Sequence, residues 1–195
     1  MQLPIPLNKF SGIPMNFHPG AFGFQRRVNW HPGIDLYTTD KQPVRAIEDG
    51  TIVGLGIFTG PAVESPWWEE THYLMVEGKT GVFNYGEINY PYLSEHCVGD
   101  KIKEGDCIGY VKRVLFEHKL RPDIPGHSCS MLHLELYTTG STEPVHWHQF
   151  QKPSNLLDPT PYLLQMYLDE IVQFVNITEY LTKLQWDNMN GKTVG

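Results

Sequence analysis

The chain has 195 residues, 41% of them hydrophobic, with 18 Gly and 15 Pro spread along its length. That is enough for one domain with its own core, and too apolar for a disordered chain. The formal net charge of -7 excludes nucleic-acid binding as the main task, because the phosphate backbone demands a basic face, and no segment approaches the ~20 apolar residues of a membrane helix.

In chain order, residues 1–30 interleave Pro, Gly and aromatic residues without a sustained period, so they read as an irregular N-terminal wrap. Residues 31–160 carry short apolar runs separated by turn signals such as Glu48-Asp49-Gly50, Glu77-Gly78-Lys79 and Glu104-Gly105-Asp106, the pattern of an antiparallel β domain, sheet or sandwich. The expected strands are Gly33 to Tyr37, Thr51 to Ile57, Tyr73 to Glu77, Gly81 to Ile88, Cys107 to Val111 and Met131 to Tyr137. Between the second and third, the segment with Trp67 and Trp68 is expected to be an exposed loop that covers the core edge or meets a ligand. After Leu157-Asp158-Pro159 the period changes. Thr160 is placed to cap a helix with Pro161 in its first turn, and Leu164, Leu168, Ile171 and Val175 recur at helical spacing. A shorter second helix is expected from about Thr178 to Gln185, so residues 161–195 form a C-terminal helical appendage packed on the β domain.

Two groups of residues suggest metal chemistry. His31-Pro32-Gly33 is followed by Asp35, and since Pro32 and Gly33 oppose a helix, His31 and Asp35 meet through a turn into a strand. In Met131-Leu132-His133-Leu134-Glu135-Leu136-Tyr137 the three leucines take one strand face and His133 projects from the other. Each residue alone also has an ordinary structural reading, and spacing by itself does not establish a metal.

The order of several motifs adds a resemblance. His31-Pro32-Gly33-Ile34-Asp35-Leu36 resembles the first motif of the lysostaphin-type (LytM-like) zinc endopeptidases, a histidine, three residues and an aspartate. Thr51-Ile52-Val53 after Asp49-Gly50 is similar to that family's second strand, Val98 to Tyr110 to its paired Gly-Asp turns, and Leu157-Asp158-Pro159 to its closing motif. The matches run from roughly Phe22 to Leu164. The resemblance implies that Zn²⁺ is held by His31, Asp35 and His133, with His133 as the last histidine of the family's His-x-His. Three nitrogen or oxygen ligands with a fourth position for water is the arrangement of a catalytic zinc site.

The chain departs from the family at two positions. Met131 stands where the first histidine of His-x-His is expected, and Glu87 where the histidine of a Tyr-x-His motif would align, in Tyr85-Gly86-Glu87. Glu87 then has two open roles, general base or closure of the site as a fourth ligand or partner of a ligand histidine. Tyr85 is the candidate oxyanion donor, and His127 a candidate replacement for a lost imidazole. His146 and His148 read as surface side chains.

The expectation is therefore a mainly β, zinc-binding metallopeptidase-like protein whose family-implied partner is a peptide or peptidoglycan substrate, with Glu87 as altered base. The alternative is an inactive family member that serves as a peptide-binding, cell-wall-binding or structural module. Three cysteines without CxxC spacing fit a reducing compartment. The first residues lack a basic segment followed by an apolar run, so the cytoplasm is the default location, with a phage virion or lysis role as the route to a cell wall.

Overall fold

The computed structural model describes residues 1–27, 29–65, 68–89, 96–116, 130–148 and 151–189, with side chains up to residue 183. Its strands are β1 (Ile34–Tyr37), β2 (Pro43–Arg45), β3 (Gly50–Thr59), β4 (Thr71–Gly78), β5 (Val82–Asn89), β6 (Lys101–Ile102), β7 (Cys107–Val111), β8 (Met131–Tyr137) and β9 (Leu156–Leu157). They form one antiparallel sheet with the main order β1-β8-β5-β4-β3-β6, while β7 joins β2 to β5 and β9 pairs with β8. The six expected strands are present with ends shifted by at most two residues. The short strands β2, β6 and β9 were not expected, since two or three residues carry no readable period.

One face of the sheet is the core. Ile34 and Leu36 of β1, Leu74 and Val76 of β4, Phe83 and Tyr85 of β5, and Leu132, Leu134 and Leu136 of β8 are buried in one cluster. Leu3 and Ile5 of the N-terminal segment join it, as do Leu163 and Met166 of the helix. The opposite face of β8 presents His133, Glu135 and Tyr137, all buried, as the alternation required.

β5 breaks that alternation. Its neighbours pair Leu74 with Tyr85 and His72 with Ile88, so Gly86 and Glu87 together oppose Tyr73. This is a β-bulge, and Glu87 adopts the left-handed conformation at φ 60° that a glutamate rarely takes. As a result Tyr85 and Ile88 both reach the core, and Glu87 is freed from the face that period two assigns it. Gly86 lies against Phe58 of β3, where a Cβ would stand 2.7 Å from the ring.

The C-terminal segment corrects the two-helix expectation. One helix, α1, runs over Thr160–Met189. The Thr178 hydroxyl donates to Phe174 O at 2.9 Å and that of Thr182 to Thr178 O at 2.8 Å, so both threonines bond back along the helix instead of breaking it. The cap also differs, since the Asp158 carboxylate accepts the Thr160 amide at 2.8 Å. From Val172 to Lys183 the side chains are exposed. No helix among the described residues is long and apolar enough to cross a membrane.

Candidate metal centre

A small hairpin brings in the first candidate ligand, His31. Gln25 bridges to Trp30, Gly23 N donates to His31 O and His31 N to Phe24 O, each at 2.9 Å, so His31 leaves the hairpin with its backbone fixed. Pro32 and Gly33 then turn the chain into β1. The register of β1 on β8 sets Asp35 directly opposite His133, and such partners on one face stand close enough for their side chains to meet.

The three side chains converge. His31 Nε2 lies 3.2 Å from His133 Nδ1 and 3.1 Å from Asp35 Oδ1, and His133 Nδ1 lies 2.8 Å from the same oxygen. All three residues are buried. Tetrahedral zinc with bonds of ~2.0–2.1 Å sets its ligand atoms about 3.3 Å apart, so this triangle is close to the size the ion needs.

The outer nitrogens strengthen the fit. His31 Nδ1 meets Ala21 O at 2.9 Å and His133 Nε2 meets Glu135 Oε1 at 3.1 Å. Each acceptor takes a ring N–H, which turns the lone pairs of the two inner nitrogens toward each other, an arrangement a shared cation satisfies. Glu135 is itself held at Oε2 by the Tyr137 hydroxyl at 2.7 Å and by Asn84 Nδ2 at 2.5 Å. Arg26 Nη2 binds Asp35 Oδ2 at 3.1 Å and leaves Oδ1 to the cluster. The donor set, its spacing and its outer partners fit Zn²⁺.

Without a metal the charges settle around a proton. Burial works against charge on His133, but Asp35 and Glu135 outweigh it and raise the ring to about 10. Burial also opposes the Asp35 carboxylate, yet hydrogen bonds from His133 and His31 hold it well below the usual carboxylate range. Burial dominates at His31 and lowers it.

Glu87 lies in the same field. Burial, then the Asp35 carboxylate, push its carboxyl up to about 8, while His133 and Arg26 act in the other direction. Its Oε2 is buried and has no hydrogen-bond partner among the described residues. Tyr85, in contrast, does not join the group, which corrects its assignment as oxyanion donor. Its ring is in the core and its hydroxyl accepts the Ile47 amide at 2.9 Å, on the far side of the sheet from the ligands. The bulge is the reason, because Tyr85 and Glu87 would share a face only in an unbroken strand.

Sequence reasoning missed several residues here. Glu135 and Tyr137 were visible on the His133 face of the alternating strand but had no assigned partners, and Asn84, Arg26 and Ala21 gave no signal. Tyr37 is half-buried, and its phenol is raised to about 12 by burial and then by Asp35, with Glu87 adding and Arg26 opposing. Phe58 stacks toward His133 with ring centroids 5.3 Å apart. His146 and His148 are exposed with rings 5.0 Å apart on either side of buried Trp147, and neither contacts the three ligands. His127 and Trp67 lie outside the described residues.

Among solved structures, the antimicrobial peptidase lysostaphin from Staphylococcus simulans superposes with a TM-score of 0.51 at 19% identity, over 85% of this chain and 55% of that one. The solution structure of lysostaphin gives the same TM-score at 18% identity, over 85% and 54%. This chain has the lysostaphin-type fold. It spans about half the length of those two lysostaphin chains. The crystallised catalytic domain of lysostaphin from the same organism aligns over 80% of this chain and 94% of its own, at 21% identity and a TM-score of 0.48. No protein-family model and no curated protein sequence matches the chain.

Proposed function

We propose that this protein is a zinc-dependent hydrolase of peptide bonds in which Glu87 is the general base. The observation that carries the reading is the buried, unpartnered carboxylate oxygen of Glu87 in the field of Asp35 and His133. Buried polar atoms are normally satisfied, and an exception beside a ligand cluster points to a partner that arrives with substrate. The lysostaphin-type fold, shared with a protein named as an antimicrobial peptidase, supports the reaction class. The substrate class, peptides of peptidoglycan, comes from the motif resemblance of the sequence.

Zinc, when bound by His31, Asp35 and His133, supplies a Lewis acid that polarises an amide carbonyl and acidifies water. The chain's own residues do the rest. Glu87 takes a proton from the attacking water as its oxygen bonds to the carbonyl carbon. It returns the proton to the amide nitrogen as the C–N bond breaks, leaving a carboxylic acid and an amine. A carboxyl that titrates near neutral pH suits both steps, and a dication nearby favours its charged form. Glu135 and Ala21 hold the two imidazoles, and Arg26 holds Asp35.

Two measurements test this reading. Zinc content should fall by about one equivalent in His31→Ala and in His133→Ala. Purified sacculi and short wall peptides should be cut by wild type and ~10²–10⁴ less by Glu87→Gln. A second reading, an inactive binding module, is favoured by Met131, whose thioether moves no proton. It prevails if zinc-loaded wild type is inert while Met131→His with Glu87→His gains activity.

A further inference from the structure

The place left by the missing histidine at Met131 has a neighbour. In β1, Ile34 and Leu36 enter the core, so Asp35 and Tyr37 project from the other face. The register that sets Asp35 against His133 sets Tyr37 against Met131. Residues directly opposite in an antiparallel pair have Cβ atoms about 4.5–5.5 Å apart. The phenol therefore rises beside the position where the resemblance expects an imidazole.

Its surroundings are built. Gly20 O accepts the Asp35 amide at 2.9 Å, and Gly20 N donates to His18 Nδ1 at 3.0 Å, which ties the strap around His18-Pro19-Gly20 across β1. A Cβ on Gly20 would lie 2.9 Å from Tyr37 Cε2, 3.0 Å from its hydroxyl oxygen and 3.1 Å from Asp35 Cβ. Only glycine passes there, and the same close approach shows the phenol lying alongside the ligand side chain. The His18 ring packs edge-on against Tyr37 with centroids 5.6 Å apart. Strap and ring thus hold the phenol in one orientation.

We propose that Tyr37 takes over from the histidine replaced by Met131, its hydroxyl donating a hydrogen bond to the scissile carbonyl oxygen as negative charge gathers there. The proposal rests on the hydrolytic reading above and divides the two lost imidazoles between two residues, with the proton going to Glu87 and the oxyanion to Tyr37. A tyrosine hydroxyl keeps its proton at neutral pH, so it is a donor whenever substrate arrives. A donor fixed in advance in a buried site needs no reorganisation as the charge develops, and removal of one such donor lowers kcat by ~10²–10³.

The test uses the zinc-loaded full chain and Tyr37→Phe, which keeps the ring, the contact with Gly20 and the packing of His18. Compared with wild type are zinc content, kcat and KM on a short wall peptide, and affinity for a reduced-amide analogue and for a phosphinic analogue of that peptide, whose tetrahedral anion mimics the oxyanion. The expected result is unchanged zinc, a kcat lower by ~10²–10³ with KM little moved, and a loss of phosphinate affinity of the same order while the uncleaved reduced-amide analogue binds as before. Wild-type kcat and phosphinate affinity in Tyr37→Phe would overturn the assignment and leave the role of Glu87 standing. If wild type does not turn over, the hydrolytic reading falls on that result, and the phosphinate comparison alone decides for Tyr37. Equal phosphinate affinity in the two proteins, or none in either, overturns it.

Discussion

Glu135 accepts the Nε2 proton of His133 at 3.1 Å, and that one bond commits Nδ1, the nitrogen 2.8 Å from Asp35, to the ligand cluster. Removal of the charge on Glu135 leaves the ring free to take the other tautomer. Glu135→Gln should therefore bind zinc ~10–100-fold more weakly while its far-UV circular dichroism is unchanged. Competition against a chromophoric chelator measures this, and an unchanged affinity would remove Glu135 from the account.

Metal binding should release a proton. In the metal-free protein His133 is raised to about 10, so at pH 7.5 the ring is protonated, and zinc must displace that proton. Calorimetry in buffers of different ionisation enthalpy should give about one proton per zinc from His133 and a further fraction from Glu87, which is largely neutral at that pH in the metal-free protein. The sign for metal-free stability follows from the same shift. The contribution of His133 is full below its ordinary value of 6.5 and is lost as pH rises through about 10. Thermal melts of metal-free protein should lose stability across that window, and His133→Gln should remove the loss between about pH 8 and 10, where Glu87 no longer adds its own.

Glu87 has the opposite sense, because an acid raised from 4.5 to about 8 is favoured in its neutral form by the folded protein. Below pH 4.5 both folded and unfolded chains carry it protonated, and the group is neutral in its effect. Between 4.5 and about 8 it costs progressively more stability, and above that the cost is constant. The melting temperature of metal-free Glu87→Gln relative to wild type should rise across the same interval and then level off. A difference that stays flat from pH 4 to 9 would mean that Glu87 titrates normally.

The position of Tyr85 leads to a result opposite to that expected of a catalytic residue. Tyr85→Phe leaves the buried Ile47 amide without its acceptor, a loss of about 1–3 kcal/mol in stability. Zinc affinity and activity per folded molecule should match wild type. Urea titration with a parallel metal assay separates the two effects.

Much of this structure is legible in the sequence. The alternation of Met131 to Tyr137 gives the faces of β8 correctly, and the short path from His31 through Pro32-Gly33 to Asp35 gives two candidate ligands whose side chains do meet. What escapes sequence reasoning is side-chain contact between separate elements and irregular backbone. Arg26 on Asp35, Asn84 on Glu135 and Ala21 on His31 join elements whose pairing no local pattern encodes. The bulge at Gly86 and Glu87 was missed although an isolated glycine inside a strand, here Gly86, is the usual sequence mark of one. A glutamate at φ 60° is an unusual occupant of the position. The single helix through Thr178 was hidden by a residue type that is common at helix ends and here bonds back within the helix.

The bulge in β5 also separates two kinds of environment. A straight strand ties the residues before and after a glycine to one environment, so a change in the chemistry of one disturbs the packing of the other. Here Tyr85 answers to the core and Glu87 to the ligand face, although only Gly86 stands between them. A change of functional group at position 87 therefore leaves the packing of Tyr85 in the hydrophobic interior undisturbed. The tripeptide is one motif in sequence and two separate sites in the fold.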